Sequence, residues 1–369
     1  MPIRLSLNPG WKSKNGSSVE SMEQILVDQA SSLLRSIGAK PPFQTQRLGG
    51  GRNSKVFRVL CREAIQLVVK FYFHHENDHR DRMGNEFRAY QFLRRNGITC
   101  VPRPIAFDQA NQVALFEYIE GDQIKPEMVD QSLVEKAVDF LSLLKDLARE
   151  GAGSELSSAS EACFSIASIL STIDQRLKAL AVAAESSPTL QQFLGEVLLP
   201  FKLRIEGWCC DRCARLGWNM NQELDSDLRS LSPSDFGFHN ALLRPTGGIA
   251  FVDFEYFGWD DPAKTTVDFL LHPAMNLLLP HKICFVSGMI SCFSNDPRLK
   301  ERVRLVYPLF GLKWCCIFLN EFVTHHQARR DFANSDNRPR EETYSQQLRK
   351  AKNLVRQLDD DCQQFPYLP

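Results

Sequence analysis

The feature of this sequence that most constrains its fold is a change of hydrophobic period near Gly121. Before this glycine, short runs alternate apolar and polar residues with a period of two, which is typical of β-strands. After it, apolar residues recur at the spacing of an α-helix over long stretches. A chain of 369 residues is also too long for one ordinary hydrophobic core. We therefore expect two lobes, the first built on a sheet and the second on helices.

The first part of the chain predicts five strands and two helices. The strands are expected at 43–48, 55–61, 66–73, 104–107 and 113–119, with a helix at 84–95 between the third and the fourth. An earlier helix is predicted between Ser17, which forms a capping pair with Glu20, and Gly38. This organisation predicts an N-terminal arm and helix over 1–40, an N-terminal lobe over 41–121 and a C-terminal lobe over 122–369.

The C-terminal part is mainly helical, with one interruption. Helical patterns cover 128–149, 161–184, 190–218, 303–322 and 341–358. The interruption runs from Ser232 to about Asp261. It contains two short apolar runs, 241–243 and 249–254, separated by proline and glycine residues, which is the pattern of a hairpin.

Composition excludes several classes of protein. Lysine and arginine together number 44, as do aspartate and glutamate, so the balance favours neither nucleic-acid nor anionic-membrane binding. Eleven cysteines without paired spacing indicate free thiols in a reducing compartment. The N-terminus has no apolar run typical of a signal peptide, and no uninterrupted run of about 18 apolar residues predicts a membrane span. We expect a cytoplasmic protein.

A glycine-rich segment lies between the first two predicted strands. Gly49, Gly50 and Gly51 are followed closely by Asn53 and Ser54. Glycines allow the backbone to approach phosphate oxygens and direct N–H groups at them. The alternative is a plain hairpin turn. The segment is not a Walker A loop, because no Gly-Lys-Ser/Thr sequence opens a helix after it.

Lys70 lies inside an apolar strand, where an ammonium group is costly to bury unless it meets an anion. Glu86, sixteen residues later, begins the next helix and is the expected partner. Such a pair would direct the ammonium at nucleotide phosphates. The alternative is that both side chains are solvated at an edge of the lobe.

Polar residues flank the predicted hairpin on both sides. Asp235 and Asn240 are five residues apart in the loop before it, and Asp253 follows Asn240 by thirteen residues, a separation that one hairpin can close. Asp235 would accept or orient the proton of a substrate hydroxyl. Asn240 and Asp253 would bind Mg²⁺, with Glu255 as a second or water-mediated ligand. The alternative is a set of solvated loop residues.

The order of these residues resembles the aminoglycoside phosphotransferase and choline kinase family. Lys70 in a third strand, Glu86 on the following helix, Asp235 with Asn240, and the Asp-Phe-Glu that begins at Asp253 all match its pattern. The resemblance implies an α+β, two-lobed protein-kinase-like fold, with a small antiparallel sheet in the N-lobe and a larger helical C-lobe. It also implies that the protein uses ATP and Mg²⁺.

The resemblance assigns further roles. Asp235 would be the catalytic base, and Asn240 and Asp253 the Mg²⁺ ligands. Lys70 and Glu86 would position the phosphates. The strand end with Glu117, Tyr118 and Ile119 would offer backbone groups to adenine, and Asp268 would tie a helix to the catalytic loop.

The sequence departs from the family pattern at two positions. The family usually has histidine two residues before the catalytic aspartate and often two residues after it, where this chain has Pro233 and Gly237. These departures keep open a non-catalytic, nucleotide-binding regulator on the same fold. A protein kinase is less consistent with the sequence, because Asp253 begins Asp-Phe-Glu rather than Asp-Phe-Gly, and neither Ala-Pro-Glu nor an activation-segment-like stretch follows it.

The predicted function is the transfer of the γ-phosphoryl group of ATP to a hydroxyl of a small sugar, aminosugar or amino alcohol. The acceptor is not readable from the sequence, although Tyr256, Trp259 or Trp314 could contribute to an aromatic cage for a quaternary amine. We expect no nucleic-acid or membrane partner, and the sequence predicts no oligomeric state.

Overall fold

The computed structural model describes residues 29–48, 54–62, 65–74, 80–323, 339–362 and 365–368. An antiparallel sheet forms the first part, and the remainder is mainly helical. The two-part architecture expected from the change of hydrophobic period is therefore confirmed.

The five strands of the first lobe form one sheet. Their bounds are Gln44–Leu48 (β1), Ser54–Leu60 (β2), Gln66–Tyr72 (β3), Pro104–Asp108 (β4) and Val113–Glu117 (β5). Their order in the sheet is β1-β2-β3-β5-β4, and all neighbours are antiparallel. Each strand begins and ends within two residues of its predicted bounds. The strand that contains Lys70, β3, lies at the centre of the sheet.

A helix covers one face of this sheet. Residues 29–36 are helical (α1), and Leu34 of this helix packs in one cluster with Val69 and Leu115. The earlier part of the predicted first helix, including Ser17 and Glu20, lies outside the described residues. The apolar side chains of alternate strand positions thus have a helix to pack against.

A second helix, α2 (Arg82–Arg95), covers the opposite face. The ring of Tyr90 packs edge-on against Phe116 of β5, with 5.4 Å between centroids. Lys70 follows Val69 in β3, and successive side chains in a strand point to opposite faces. The side chain of Lys70 therefore points away from α1 and towards α2.

Eight helices form most of the second lobe in the described part of the chain. They are α3 (Gln131–Arg149), α4 (Ile166–Ala184), α5 (Pro188–Phe193), α6 (Leu199–Leu216), α7 (Pro262–Leu271), α8 (Leu279–Cys292), α9 (Leu299–Leu319) and α10 (Arg340–Asp361). A π-helical turn, Leu194–Leu198, joins α5 to α6, so the predicted helix over 190–218 is a succession of three segments. Short 3₁₀ turns occur at Pro126–Met128, Ser226–Leu228, Phe238–Asn240 and Asn320–Phe322.

Helix α4 begins later than predicted. The expected helix over 161–184 starts at Ile166, because Ser165 caps it: its hydroxyl accepts a hydrogen bond from the backbone N–H of Ser168 at 3.1 Å. A reciprocal bond runs from the backbone N–H of Ser165 to the Ser168 hydroxyl. The capping box stabilises the start at this position and leaves Glu161 in the preceding loop.

Five short strands interrupt the helices. They are β6 (Asp122–Gln123), β7 (Ser230–Ser232), β8 (Ala241–Leu243), β9 (Ile249–Phe251) and β10 (Gly258–Asp260). Strands β8 and β9 form the predicted hairpin, and β6 pairs with the other side of β8. The sequence analysis missed the pair of β7 and β10, because three residues are too few to establish a period.

Helix α9 is the central helix of the second lobe. The segment Leu299–Phe322 is long and apolar enough to cross a membrane by composition, but 83% of its most apolar window is buried inside the protein. It contacts α4, α7 and α10. This burial is typical of the core helix of a globular protein.

A buried ion network joins the beginnings of α7 and α9. Asp261 caps α7 by accepting from the backbone N–H of Ala263 at 2.8 Å. The guanidinium of Arg302 binds both oxygens of Asp261, with Nε 2.9 Å from Oδ2, and its Nη2 lies 2.6 Å from Asp296. The network fixes α7, which follows β10, against the core helix.

Replacing Arg302 with methionine should lower the free energy of unfolding by about 3–5 kcal/mol, because two buried carboxylates lose their cation. Urea denaturation of both proteins measures the difference. Arg204→Met is the matched control, since Arg204 pairs with Asp359 at the exposed surface and should cost at most about 1 kcal/mol. Equal losses in the two variants would contradict this account.

Candidate active site

A three-membered ion cluster lies where the sheet, α2 and the second lobe meet. The ammonium of Lys70 lies 2.6 Å from Oε2 of Glu86 and 2.5 Å from Oδ1 of Asp253. Burial alone would lower the pKa of Lys70, but Asp253 and Glu86 outweigh that effect and raise the pKa above its usual value. The predicted Lys70–Glu86 contact is therefore present, and the ammonium stays protonated.

Two tyrosines hold Glu86 in place. The hydroxyl of Tyr72 donates to Oε2 of Glu86 at 2.7 Å, and that of Tyr90 donates to Oε1 at 2.9 Å. Burial, reinforced by the charge of Glu86, raises the pKa of both tyrosines well above its usual value. Both hydroxyls consequently remain donors, and the buried carboxylate has three partners that fix its orientation.

Backbone hydrogen bonds bring Asn240, Asp253 and Asp235 together. The N–H of Val252 donates to the carbonyl of Asn240 at 2.9 Å, and the side-chain amide of Asn240 donates to the carbonyl of Asp235 at 3.0 Å. Asp253 has a φ of 67°, a left-handed conformation that is unfavourable for a residue with a Cβ. All three residues line one cavity of about 520 Å³.

Glu255 lies deeper than Asp253. Its carboxylate and the guanidinium of Arg82 are both 2% exposed and 3.7 Å apart. Burial raises the pKa of Glu255, and the charges of Asp253 and Glu86 raise it further against the opposing effect of Lys70 and Arg82. The carboxylate lines the cavity but already has a cationic neighbour, so its role as a metal ligand remains a prediction.

Asp235 lies beside two stacked histidines. Its Oδ1 is 3.2 Å from Nε2 of His239 and 3.6 Å from Nε2 of His272. The two imidazole rings are parallel, with centroids 3.7 Å apart. Burial alone would raise the pKa of Asp235, but His239, His272 and Lys264 hold it well below its usual value. Asp235 is therefore an ionised carboxylate with a fixed orientation.

A buried lysine fixes the loop that precedes Asp235. Lys264 of α7 donates to the hydroxyl of Ser234 at 3.0 Å and lies 2.7 Å from Asp260 and 3.2 Å from Asp268. Asp268 also accepts from the indole N–H of Trp314 at 3.0 Å. The expected link between Asp268 and the loop that carries Asp235 therefore exists, and it runs through Lys264, a residue that the sequence pattern does not indicate.

The predicted adenine-binding residues lie at the end of β5. The N–H of Glu117 donates to the carbonyl of Arg103 at 2.9 Å, so this amide is already used within the protein. The ring of Tyr118 lies under the guanidinium of Arg58, 4.4 Å from its centroid, and Ile119 is buried. The predicted backbone contacts of this segment with adenine stay a prediction.

The remaining predicted site residues belong to the glycine-rich segment. Ser54 is buried at the start of β2, opposite Tyr72. Gly49, Gly50, Gly51 and Asn53 lie outside the described residues. Their proposed contact with phosphates stays a prediction.

Sequence comparison identifies the family of this chain. The sequence profile of the phosphotransferase enzyme family matches residues 44–264, more than half of the chain. The chain belongs to this phosphotransferase family. No curated protein matches its sequence.

Solved structures with similar folds agree with this assignment. A choline kinase of Cryptosporidium parvum is 11% identical, with a TM-score of 0.58 over 92% of this chain and 97% of its own. The choline kinase LicA of Streptococcus pneumoniae is 14% identical, with a TM-score of 0.58 over 91% and 99%. Spectinomycin phosphotransferase, in complex with ADP and spectinomycin, is 12% identical, with a TM-score of 0.57 over 89% and 97%. At these identities the likeness establishes the two-lobed kinase-like fold.

The chain has a histidine near Asp235 despite its departures from the family pattern. A Cβ at Gly237 would lie 2.8 Å from Nδ1 of His239 and 2.7 Å from the sulfur of Met275. The absence of a side chain at Gly237 thus leaves room for the ring of His239, which reaches Asp235 from two residues further along the chain. The family pattern gives no signal for this contact, because it places histidine at two other fixed positions.

A second charged cluster lines the same cavity. Glu161 lies 2.9 Å from Arg176, 3.1 Å from Lys313 and 3.5 Å from Arg80. Burial alone would raise the pKa of Glu161, but Lys313, Arg176 and Arg80 lower it from 4.5 to about 2. The sequence carries no signal for this cluster, because its members come from four distant segments.

The aromatic residues considered for a cage do not all face the cavity. Tyr256 and Trp314 line it. Trp259 instead donates its indole N–H to the carbonyl of Gly153 at 2.8 Å. The indole of Trp314 is held by its hydrogen bond to Asp268. Two of the three aromatic residues of the hypothetical cage therefore line the cavity.

The low pKa of Glu161 predicts a dependence of stability on pH. Its folded pKa of about 2 lies below the usual 4.5, so its contribution is present above pH 4.5 and disappears as pH falls towards 2. In that window the unfolded chain binds up to one more proton at this residue, which adds up to about 1.4 kcal/mol per pH unit to the slope of the unfolding free energy. Glu161→Gln should show a smaller slope in urea titrations between pH 3 and 5 (about the window in which the carboxylate titrates). Identical slopes would contradict the assignment.

Proposed function

We propose that this protein transfers the γ-phosphoryl group of ATP to a hydroxyl of a small molecule. Its family and fold support a small-molecule phosphotransferase. The observation on which the proposal mainly rests is the ion cluster of Lys70, Glu86 and Asp253 beside Asp235 and Asn240 at one cavity. Phosphoryl transfer requires these parts: a cation for the phosphates, oxygen ligands for a metal, and a carboxylate for the nucleophile.

The nucleotide would bind between the two lobes. Lys70 would contact its phosphates, since Glu86 and Asp253 fix the ammonium at the edge of the cavity. The predicted glycine-rich segment would cover the phosphates, and the backbone of Tyr118 and Ile119 would contact adenine. A solved relative described with bound ADP supports the use of a nucleotide.

The oxygen atoms at the hairpin suit Mg²⁺. Asn240 offers its amide oxygen, because its amide nitrogen is bound to the Asp235 carbonyl, and Asp253 offers a carboxylate. Amide and carboxylate oxygens are the ligands that Mg²⁺ prefers, so these two residues would hold the ion, with Glu255 as a further predicted ligand. When bound, Mg²⁺ would neutralise charge on the phosphate oxygens.

Asp235 would act on the acceptor. The new bond joins the acceptor oxygen to the γ-phosphorus, the bond from that phosphorus to the β–γ bridging oxygen breaks, and ADP leaves. The hydroxyl proton passes to the carboxylate of Asp235. His239 and His272 fix this carboxylate, so that it orients the hydroxyl for in-line attack.

Replacing Asp235 with asparagine should lower turnover by about 10²- to 10⁴-fold, because the variant cannot accept the proton. The affinity for ATP, measured by calorimetry, should change little, since Asp235 contacts the acceptor. Asp211→Asn, at an exposed position of α6, is the control and should keep full activity. Unchanged turnover in the Asp235 variant would exclude it as the base.

Asp253→Ala tests the metal–nucleotide site separately. ATP with Mg²⁺ should raise the thermal midpoint of the unmodified protein, because a ligand that binds only the folded state stabilises it. ATP without Mg²⁺ should raise it less, and the Asp253 variant should lose the Mg²⁺-dependent part. A folded protein that shows no shift with any nucleotide would refute the proposed function.

A non-catalytic nucleotide-binding regulator is the second candidate, and Pro233 and Gly237 at the usual histidine positions favour it. The contact between His239 and Asp235 weakens that argument, because a histidine still supports the carboxylate. ATP binding without product, across acceptors of every charge, would favour the regulator.

We also propose a cytoplasmic location. All eleven cysteines are unpaired, as expected in a reducing compartment. The proposal otherwise rests on the sequence.

A further inference from the structure

The cavity of the proposed active site is lined by two groups of charged residues. Asp235 and Asp253 belong to the first group. In the second, the distal cluster, Arg80, Arg176 and Lys313 all lie within 3.5 Å of the carboxylate of Glu161. Arg176 and Lys313 share this one carboxylate, so the distal cluster has an excess of positive charge.

Both carboxylate oxygens of Glu161 already have cationic partners within the distal cluster. Its Oε2 accepts from Nη2 of Arg176 at 2.9 Å and lies 3.1 Å from the ammonium of Lys313. Its Oε1 lies 3.5 Å from Arg80. An amine on an acceptor would have to compete with three cations for this carboxylate and would be repelled by them.

The cations of the distal cluster come from rigid and partly buried positions. Arg176 extends from α4 and Lys313 from α9, the core helix of the lobe. The side chain of Lys313 is only 4% exposed, and Nε of Arg176 is buried without a hydrogen-bond partner in the described part of the chain. Burying cations in excess is costly, and an anionic ligand would remove that cost.

The shape of the donors also favours an anion. A guanidinium presents its N–H groups in a planar fork that matches the oxygens of a carboxylate or phosphate. An ammonium such as that of Lys313 adds a compact charge beside it. The arrangement is therefore suited to an oxyanion rather than to a neutral hydroxyl.

We propose that the phosphoryl acceptor is an anionic hydroxy compound, whose carboxylate or phosphate binds Arg176 and Lys313 while its hydroxyl meets Asp235. The proposal rests on the proposed function and narrows the substrate class of the same site. It replaces the aminosugar and amino alcohol acceptors that the sequence pattern suggests, because the distal cluster has an excess of positive charge.

The test uses the protein saturated with ADP and Mg²⁺, so that the nucleotide site is filled. Thermal midpoints are measured while four small hydroxyl compounds are titrated: glycerate, glycerol phosphate, glycerol and ethanolamine. The two anions should raise the midpoint, whereas the neutral and cationic compounds should not. A response to only one anion identifies the group as a carboxylate or as a phosphate.

Variants locate the response in the distal cluster. Arg176→Gln and Lys313→Met should each weaken binding of the active anion by about tenfold, the loss expected for one charge-assisted hydrogen bond. ADP affinity should stay unchanged in both. Arg204→Gln removes an arginine at the exposed surface and should leave anion binding unaltered.

Two results would overturn the proposal while ADP still binds. One is a midpoint shift with ethanolamine but not with either anion, and the other is anion binding that survives both substitutions in the distal cluster. The proposal would also be overturned if neither anion raised the thermal midpoint of the protein with ADP bound. Failure of the unmodified protein to bind ADP and Mg²⁺ would instead contradict the proposed function.

Discussion

The buried ammonium of Lys70 is the interaction on which the site depends. Its charge is acceptable inside the protein only because Glu86 and Asp253 lie within 2.6 Å, and each carboxylate belongs to a different element. Removing Lys70 would leave the carboxylates of Glu86 and Asp253 without their shared cation. The cluster therefore joins the sheet, α2 and the hairpin of the second lobe at one point, and the candidate nucleotide site is built around that point.

The loop that carries Asp235 depends on a second buried lysine. Lys264 connects Ser234 of the loop with Asp260 and Asp268, and the stacked rings of His239 and His272 approach Asp235 from the side. Fixed neighbours of this kind position a carboxylate before any substrate arrives, which is how enzymes reduce the cost of orientation. The family pattern is therefore altered in sequence while a histidine still lies beside the carboxylate.

Two groups of charges line the cavity. Asp253 lies beside Lys70, and the excess of cations lies around Glu161. Proteins that share one fold can use chemically different acceptors when the residues at the positions of the distal cluster differ, because function depends on the site rather than on the fold. The proposed anionic acceptor follows from the local charge, and the family alone does not imply it.

The sequence by itself determined the two-lobed architecture, the five strands of the sheet and the contact of Lys70 with Glu86. These follow from hydrophobic period and from the cost of burying a charge, which act along short stretches of chain. The reach of His239 to Asp235, the role of Lys264 and the cluster around Glu161 were decided only by the tertiary structure. Their partners come from distant segments, and a contact between distant segments leaves no periodic signal in a single sequence. The late start of α4 is a local example of the same limit, because a serine cap at Ser165 overrode the apolar pattern.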